Sequence, residues 1–454
     1  MQEINKQYIE HIQEMLENKD SASIIALFNE IHPADIAEII EELNIRDARE
    51  LFSYLVGDLA SDVLVELEDD TQQKLLLDIP ASEIYEKFIE SMESDDAADI
   101  INELPEGVRE EVVTILAKSS EEDAQDVIEL LEYEEDSAGG LMAKEMIQVH
   151  INDTVSKCIA LIQEAKEEVD DIYAVYVVDD DEKLKGIIPL KNLVLFPPRT
   201  KIIDFFEDDV KYVTVDTEAE EVAQIMQRYD LVVLPVIDHD GILVGRITID
   251  DVVDFITEEA EEDYQLASGI SEDVDPTDKV WILSRARLPW LLLGLVGGVA
   301  ASKVIGIHEE TIRINPEMAF FIPIITAMAG NAGIQSSAIV VQALAANTMG
   351  KSSFLAKILK EFTVSIINGL ICGVLLMVYG IFFTDMLQTA LTISISLLVV
   401  IMLASTLGFA IPLLLDRIKI DPALATGPFI TTTNDLIGLA VYFYIGHLMY
   451  SFTF

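Results

Sequence analysis

The chain has 454 residues, with 81 acidic against 29 basic side chains and a net charge of −52. Residues 1–280 hold 73 of the acids and 20 of the bases, whereas residues 281–454 hold 8 and 9, so an acidic half precedes a near-neutral one. That balance excludes nucleic acid as a partner, because phosphate would be repelled, and two cysteines in different halves, Cys158 and Cys372, exclude a disulfide framework.

The opening stretch MQEINKQYIEHIQEMLENKD has no apolar core and does not read as a signal peptide, which keeps the acidic half in the cytoplasm. Residues 1–135 then carry apolar side chains at three-four spacing in short runs, such as Ile24-Ile25-Ala26-Leu27-Phe28 and Ala97-Ala98-Asp99-Ile100-Ile101. Cap-like Pro33-Ala34-Asp35 and Ser94-Asp95-Asp96 open two of them. The expectation is an all-α domain of stacked helical hairpins with a solvated acidic face.

Residues 138–200 and 201–258 read as two copies of one unit: a helix, an apolar strand, a turn, and a second strand leading into a helix. The copies are IYAVYVVDDDEKLKGIIPLKNLV and LVVLPVIDHDGILVGRITIDDVV, with hairpin turns of the Asp-Gly kind. The pattern resembles an α/β pair of CBS domains. Thr248 and Asp251 form the Thr-x-x-Asp that contacts ribose in nucleotide-binding members, while Pro189 stands where the first copy would carry that Thr. ATP on the pair is therefore an open alternative. Residues 250–275 read as one acidic helix ending at Gly269, joining the two halves.

Residues 285–454 are expected to be an all-α transmembrane domain of five spans, at about 287–307, 317–345, 362–384, 389–415 and 423–450, since roughly 20 apolar residues cross a bilayer. Lys and Arg lie before the first span, between the second and third, and between the fourth and fifth. That places the amino terminus in the cytoplasm and the carboxyl terminus outside. Pro323 and Pro412 suggest kinks or breaks, and Gly294 and Gly298 make a small-xxx-small pair for close helix contact. The last span carries Thr431-Thr432-Thr433-Asn434 followed by Asp435, just after Gly427-Pro428. A charge at mid-membrane costs roughly 2.5–3.5 kcal/mol, so it marks an ion path or, more plainly, an interhelical hydrogen bond.

These parts, in this order, resemble the MgtE family of magnesium channels over essentially the whole chain. The most specific matches are YEEDSAGGLM at 133–142, AGNAGIQS at 329–336, and Asp421-Pro422-Ala423-Leu424 through Asn434-Asp435. The resemblance implies a superhelical helical domain, a CBS pair, an acidic plug helix and five spans, assembled as a homodimer in the cell membrane with the pore between the two membrane domains. It makes Asp435 the pore carboxylate for hydrated Mg²⁺. It also implies regulatory Mg²⁺ held by Asp62, Asp95 and Asp99 in the helical domain, and by Glu218, Glu220, Asp230, Asp251 and Asp254 in the CBS pair. Glu259, Glu262 and Asp263 in the connecting helix and Asp421 at the inner mouth complete the carboxylates, with main-chain carbonyls from Gly140 and Gln227. Gly427 and Ile334 stand where some members carry Asn. The implied activity is Mg²⁺ uptake, closed by cytoplasmic Mg²⁺, with no enzymatic chemistry. Two rivals remain: a transporter whose main ion is Co²⁺ or Mn²⁺, and a non-conducting membrane-anchored CBS sensor. Oxygen ligands favour a hard ion, and an anchor needs no charge in lipid.

Overall fold

Short helices dominate the first 130 residues because their apolar positions recur every three or four residues and each run is stopped within three turns. The computed structural model describes residues 6–77, 79–119, 122–165, 172–272, 274, 279–345, 349, 354–383, 387–425 and 427–451. Between Lys6 and Leu130 it shows ten α-helices of 7 to 12 residues. Caps punctuate them: the Asn44 side chain accepts from the Asp47 N–H, and Pro33 opens its helix where its missing N–H is not needed. Two compact units divide the chain, Met1–Ile256 and Thr257–Phe454.

In the first unit, each repeat forms a three-stranded sheet. β1 (Gln148–His150) runs parallel to β2 (Ala174–Val178), which pairs antiparallel with β3 (Leu184–Pro189). β4 (Val213–Thr214), β5 (Val233–Ile237) and β6 (Leu243–Thr248) repeat that order. The register slips at the same place in both copies, between Val177 and Val178 and between Val236 and Ile237. The short first strands β1 and β4 escaped the sequence reading, being too brief for a period to show. The lead-ins are exchanged: Ala143, entering the first copy, bridges Arg246 on β6, while Glu207, entering the second, bridges Ile187 on β3. Ala138 and Gly139 likewise donate to Thr217 and Val215 of the second copy. One buried core consequently runs from the short helices through Ala138 and Met142 into Leu234, Val236 and Ile247, whereas the first copy keeps a core of its own around Val155, Val175 and Ile188.

The connecting helix spans Ile249–Ser268, shorter than the 250–275 expected; residues 273 and 275 lie outside the described residues. Gly269 ends it with φ +81°, and the Ile270 N–H donates back to the Gln265 carbonyl, the left-handed closure that glycine adopts at no steric cost.

Five long helices form the second unit: Val280–Ile307, Glu317–Ala345, Phe354–Phe383, Leu387–Arg417 and Gly427–Ser451. Among the described residues four are long and apolar enough to cross a membrane. The fifth, holding the Thr431–Asp435 run, has the length, about 37 Å at 1.5 Å per residue, but falls short on composition. One expectation is corrected: neither internal proline ends its helix, and both helices continue through Pro323 and Pro412. The close contact of the first long helix is made by Gly297 against Thr432, while Gly294 and Gly298 have open space around them. Bundle packing satisfies a helix around an internal proline, and a small-residue spacing alone does not say which face is used.

Candidate metal centre

The helix Ser94–Glu103 buries Ala97, Ala98, Ile100 and Ile101 and packs beside the helix Glu122–Leu130, while Glu93 before its first turn meets Arg246 of the second CBS copy. That turn is acidic: Glu93, Asp95 and Asp96. The Ser94 N–H and hydroxyl donate to Glu145 Oε1 and Oε2 at 3.0 and 2.8 Å, so a carboxylate from the first lead-in caps a helix 51 positions away. The Lys144 N–H returns a bond to Ser94 Oγ at 2.9 Å. Ligand oxygens of Glu93, Asp95 and Glu145 all lie within 4.8 Å of one another. Asp251 faces the same place from the start of the connecting helix. Its Oδ2 accepts from the Thr248 N–H at 3.0 Å and the Thr248 hydroxyl at 2.5 Å. Arg246 on β6 places Nη2 2.8 Å from both Glu93 oxygens.

Burial raises three carboxyls here, those of Asp95, Asp96 and Asp251, and neighbouring acids raise them further. Asp95 is 7% exposed and well above the ordinary carboxylate range, through desolvation first and then the charges of Asp96, Asp251, Glu93 and Glu145. Desolvation, then Asp251 and Glu93, pushes Asp96 up to about 8. Asp251 is raised by desolvation although its two bonds from Thr248 pull the other way. Acids that resist ionisation for want of countercharge fit a hard divalent cation, and carboxylate oxygens are the donors Mg²⁺ takes.

Of the positions drawn from the resemblance, the structure brings Asp95 and Asp251 together, with the Asp99 charge acting on Asp96 one turn away. Asp62, Asp99, Glu218, Glu220, Gln227, Asp230, Asp254 and Glu262 are exposed; Gly140, Glu259 and Asp263 are half-buried. Asp230 ends its helix with φ +52°. Asp421 is exposed and accepts from the Ala423 N–H at 2.7 Å, which caps the short turn Pro422–Ala425. Thr248 and Asp251 bond to each other beside the acidic cluster. Glu93, Asp96, Glu145 and Arg246 were missed. Asp96 and Glu93 flank a cap already visible in the sequence, but nothing in the sequence ties Glu145 or Arg246 to it.

Asp435 is half-buried on the fifth long helix, beside the second. A Cβ on Gly330 would lie 3.1 Å from Thr431 Cγ2 and 3.6 Å from Asp435 Oδ1, and one on Gly333 would overlap the Asn434 amide. These two glycines form the notch that seats the polar run. Thr431 spends its hydroxyl on the Gly427 carbonyl at 2.9 Å, while the 2% exposed Asn434 finds no acceptor for Nδ2 among the described residues. At the start of the same helix, a Cβ on Gly269 would lie 2.7 Å from Pro428 Cγ, so the end of the acidic connecting helix abuts the helix that carries Asp435.

Comparison with known proteins follows this layout. Residues 31–136 match the MgtE intracellular N domain, residues 138–198 and 202–258 the CBS domain, and residues 322–445 the MgtE divalent cation transporter domain. The Bacillus subtilis magnesium transporter MgtE is 30% identical over 425 residues, 94% of this chain and 93% of that one. The Thermus thermophilus magnesium transporter MgtE is 31% identical over 449 residues, 96% of this chain and 97% of that one. A crystal structure of the cytosolic domain of the Mg²⁺ channel MgtE in complex with ATP superposes with a TM-score of 0.50 at 33% identity, covering 54% of this chain and 99% of that one. The soluble part of a magnesium transporter gives 0.51 at 29% identity, with 56% and 99% covered. By domain order and by identity along nearly its whole length, this chain belongs to the MgtE family of divalent cation transporters, membrane proteins and not enzymes.

Proposed function

We propose that the chain is a homodimeric Mg²⁺ channel of the cell membrane, with its amino terminus in the cytoplasm, that closes when cytoplasmic Mg²⁺ occupies its acidic domains. The observation that carries this reading is the carboxylate cluster: oxygens of Glu93, Asp95 and Glu145 within 4.8 Å of one another, Glu93 already paired with Arg246, and Asp96 and Asp251 beside them. Mg²⁺ sheds water reluctantly and needs only one or two carboxylates plus retained waters. Asp95, Glu145 and Asp251 would hold a regulatory ion, and Asp435 from each of two copies would hold the hydrated cargo ion. Gly140, Gln227, Asp62, Asp99, Glu218, Glu220, Asp230, Asp254, Glu259, Glu262, Asp263 and Asp421 are proposed as further regulatory positions, completed when the exposed faces meet. ATP on the CBS pair, with Thr248 and Asp251 toward its ribose, is carried over from the ATP-bound relative.

Five spans are part of this reading, with the fifth helix crossing because its polar run faces a watery path. The connecting helix transmits the closed state, since its end already abuts Pro428. Asp435→Asn removes the charge and keeps the shape. In proteoliposomes it should reduce Mg²⁺ flux to the level of empty vesicles while the dimer stays intact on a sizing column. Flux equal to the parent's would remove Asp435 from the pore.

A further inference from the structure

The acidic face between the short helices and the second CBS copy contains a resident cation. Arg246 is 4% exposed and makes both of its 2.8 Å contacts to Glu93, a residue 153 positions away in another domain. Its backbone is pinned as well: the Ala143 N–H donates to the Arg246 carbonyl at 2.8 Å, and the Arg246 N–H to the Ala143 carbonyl at 2.9 Å. The Arg246 main chain therefore stays with the CBS pair if the helical domain moves away. Other charges at this face are Asp95, Asp96, Asp99 and Glu145, Asp250 and Asp251 on the connecting helix, and Lys144. Lys144 is bound to Glu129 at 2.8 Å and joins the helical domain to the first lead-in, 15 positions along the chain, whereas Arg246 reaches Glu93 from the second copy.

We infer that the Arg246–Glu93 pair is a metal-independent clasp that docks the helical domain on the second CBS copy before any divalent cation binds. The inference rests on the reading of this face as a regulatory Mg²⁺ site, and it says how that site is regulated. A planar guanidinium opposite a carboxylate is among the stronger charge-assisted contacts, and burial makes its loss costly, because one partner is left uncompensated. The clasp offsets one of the like charges that would otherwise drive the domains apart. Closure then begins from a partly docked state, and Mg²⁺ completes it at Asp95, Glu145 and Asp251. Removing the clasp should make docking depend wholly on the metal.

The test is hydrogen exchange on the full-length protein in lipid nanodiscs, read at the Ser94 and Lys144 amides, whose acceptors lie across the contact. In EDTA, Arg246→Met and the gentler Glu93→Gln should each speed exchange at these amides about tenfold or more, leaving the β2–β3 amides of the first copy at the parent's rate. The double variant Glu93→Arg with Arg246→Glu should restore slow exchange in EDTA. Parent-like rates in both single variants would overturn the clasp, as would a charge-swapped protein no slower than the singles. Addition of Mg²⁺ separates this from the underlying reading. If Mg²⁺ slows exchange in neither parent nor variants, the regulatory site fails, while the EDTA result still decides the clasp.

Discussion

The two CBS copies share one backbone and differ in what they carry. Ile187 of the first holds the place of Arg246 in the second, Pro189 that of Thr248, and Asn192 that of Asp251, as the matched registers on β2 and β5 show. Each lead-in crosses to the other copy's last strand, so Glu145 has Asp209 as its counterpart; Asp209 is exposed, whereas Glu145 caps a helix. The first copy is the less charged scaffold, with 11 acids against 7 bases over residues 138–200, and has its own core. The second is more acidic, with 15 acids against 4 bases over residues 201–258, shares its core with the helical domain, and faces the carboxylates. Duplication supplied a frame, and the chemistry was placed on the half that touches a second domain.

The largest expected effect breaks this asymmetry directly. Asp95→Asn and Asp251→Asn should each weaken Mg²⁺ binding about tenfold or more by isothermal titration, while Asn192→Ala, at the same frame position in the first copy, should leave it unchanged. A comparable loss from Asn192→Ala would mean that both copies bind.

Acidity gives the next test. Asp95, Asp96 and Asp251 all have raised folded values, so their contribution to docking is full below the ordinary carboxylate range and is lost as pH rises through the raised values, last of all through that of Asp96, near 8. Protection of the Ser94 amide in EDTA, corrected for intrinsic exchange, should fall between about pH 5 and pH 8.5. Saturating Mg²⁺ should flatten that slope, and the first copy's strands should show none.

The smallest effect sharpens what the copies share. A Cβ on Gly186 would run into the Glu207 carbonyl and the Phe206 ring, and one on Gly245 into Met142 Sδ and, at 2.9 Å, the Ala143 carbonyl. Both substitutions should destabilise, by about 1–3 kcal/mol for Gly186→Ala and less for Gly245→Ala, where a flexible methionine can yield. Urea midpoints would rank them.

Much of this architecture was legible because it is periodic: short amphipathic runs, two strand–turn–strand copies, and long apolar stretches. The polar run before Asp435 stood out because lipid makes a charge conspicuous. The cluster was legible only in part. Asp95 and Asp251 came from resemblance, yet Glu145 was hidden, because its role depends on an exchanged lead-in that no local pattern announces. Arg246 was hidden for a similar reason. On a strand of alternating apolar residues it reads as one solvated base, and its partner lies in another domain. Gly330 and Gly333 were quoted as part of a family string, but their use as a notch for Thr431 and Asn434 needed the helix pairing.

The most direct test of the central claim, that Mg²⁺ held between the helical domain and the second CBS copy shuts the pore, is flux through proteoliposomes while Mg²⁺ is varied on the cytoplasmic face. The parent should conduct in the metal-free state and close as Mg²⁺ is added, and the Asp95→Asn, Asp251→Asn double variant should keep conducting at concentrations that close the parent. A double variant that closes over the same Mg²⁺ range as the parent would contradict the account.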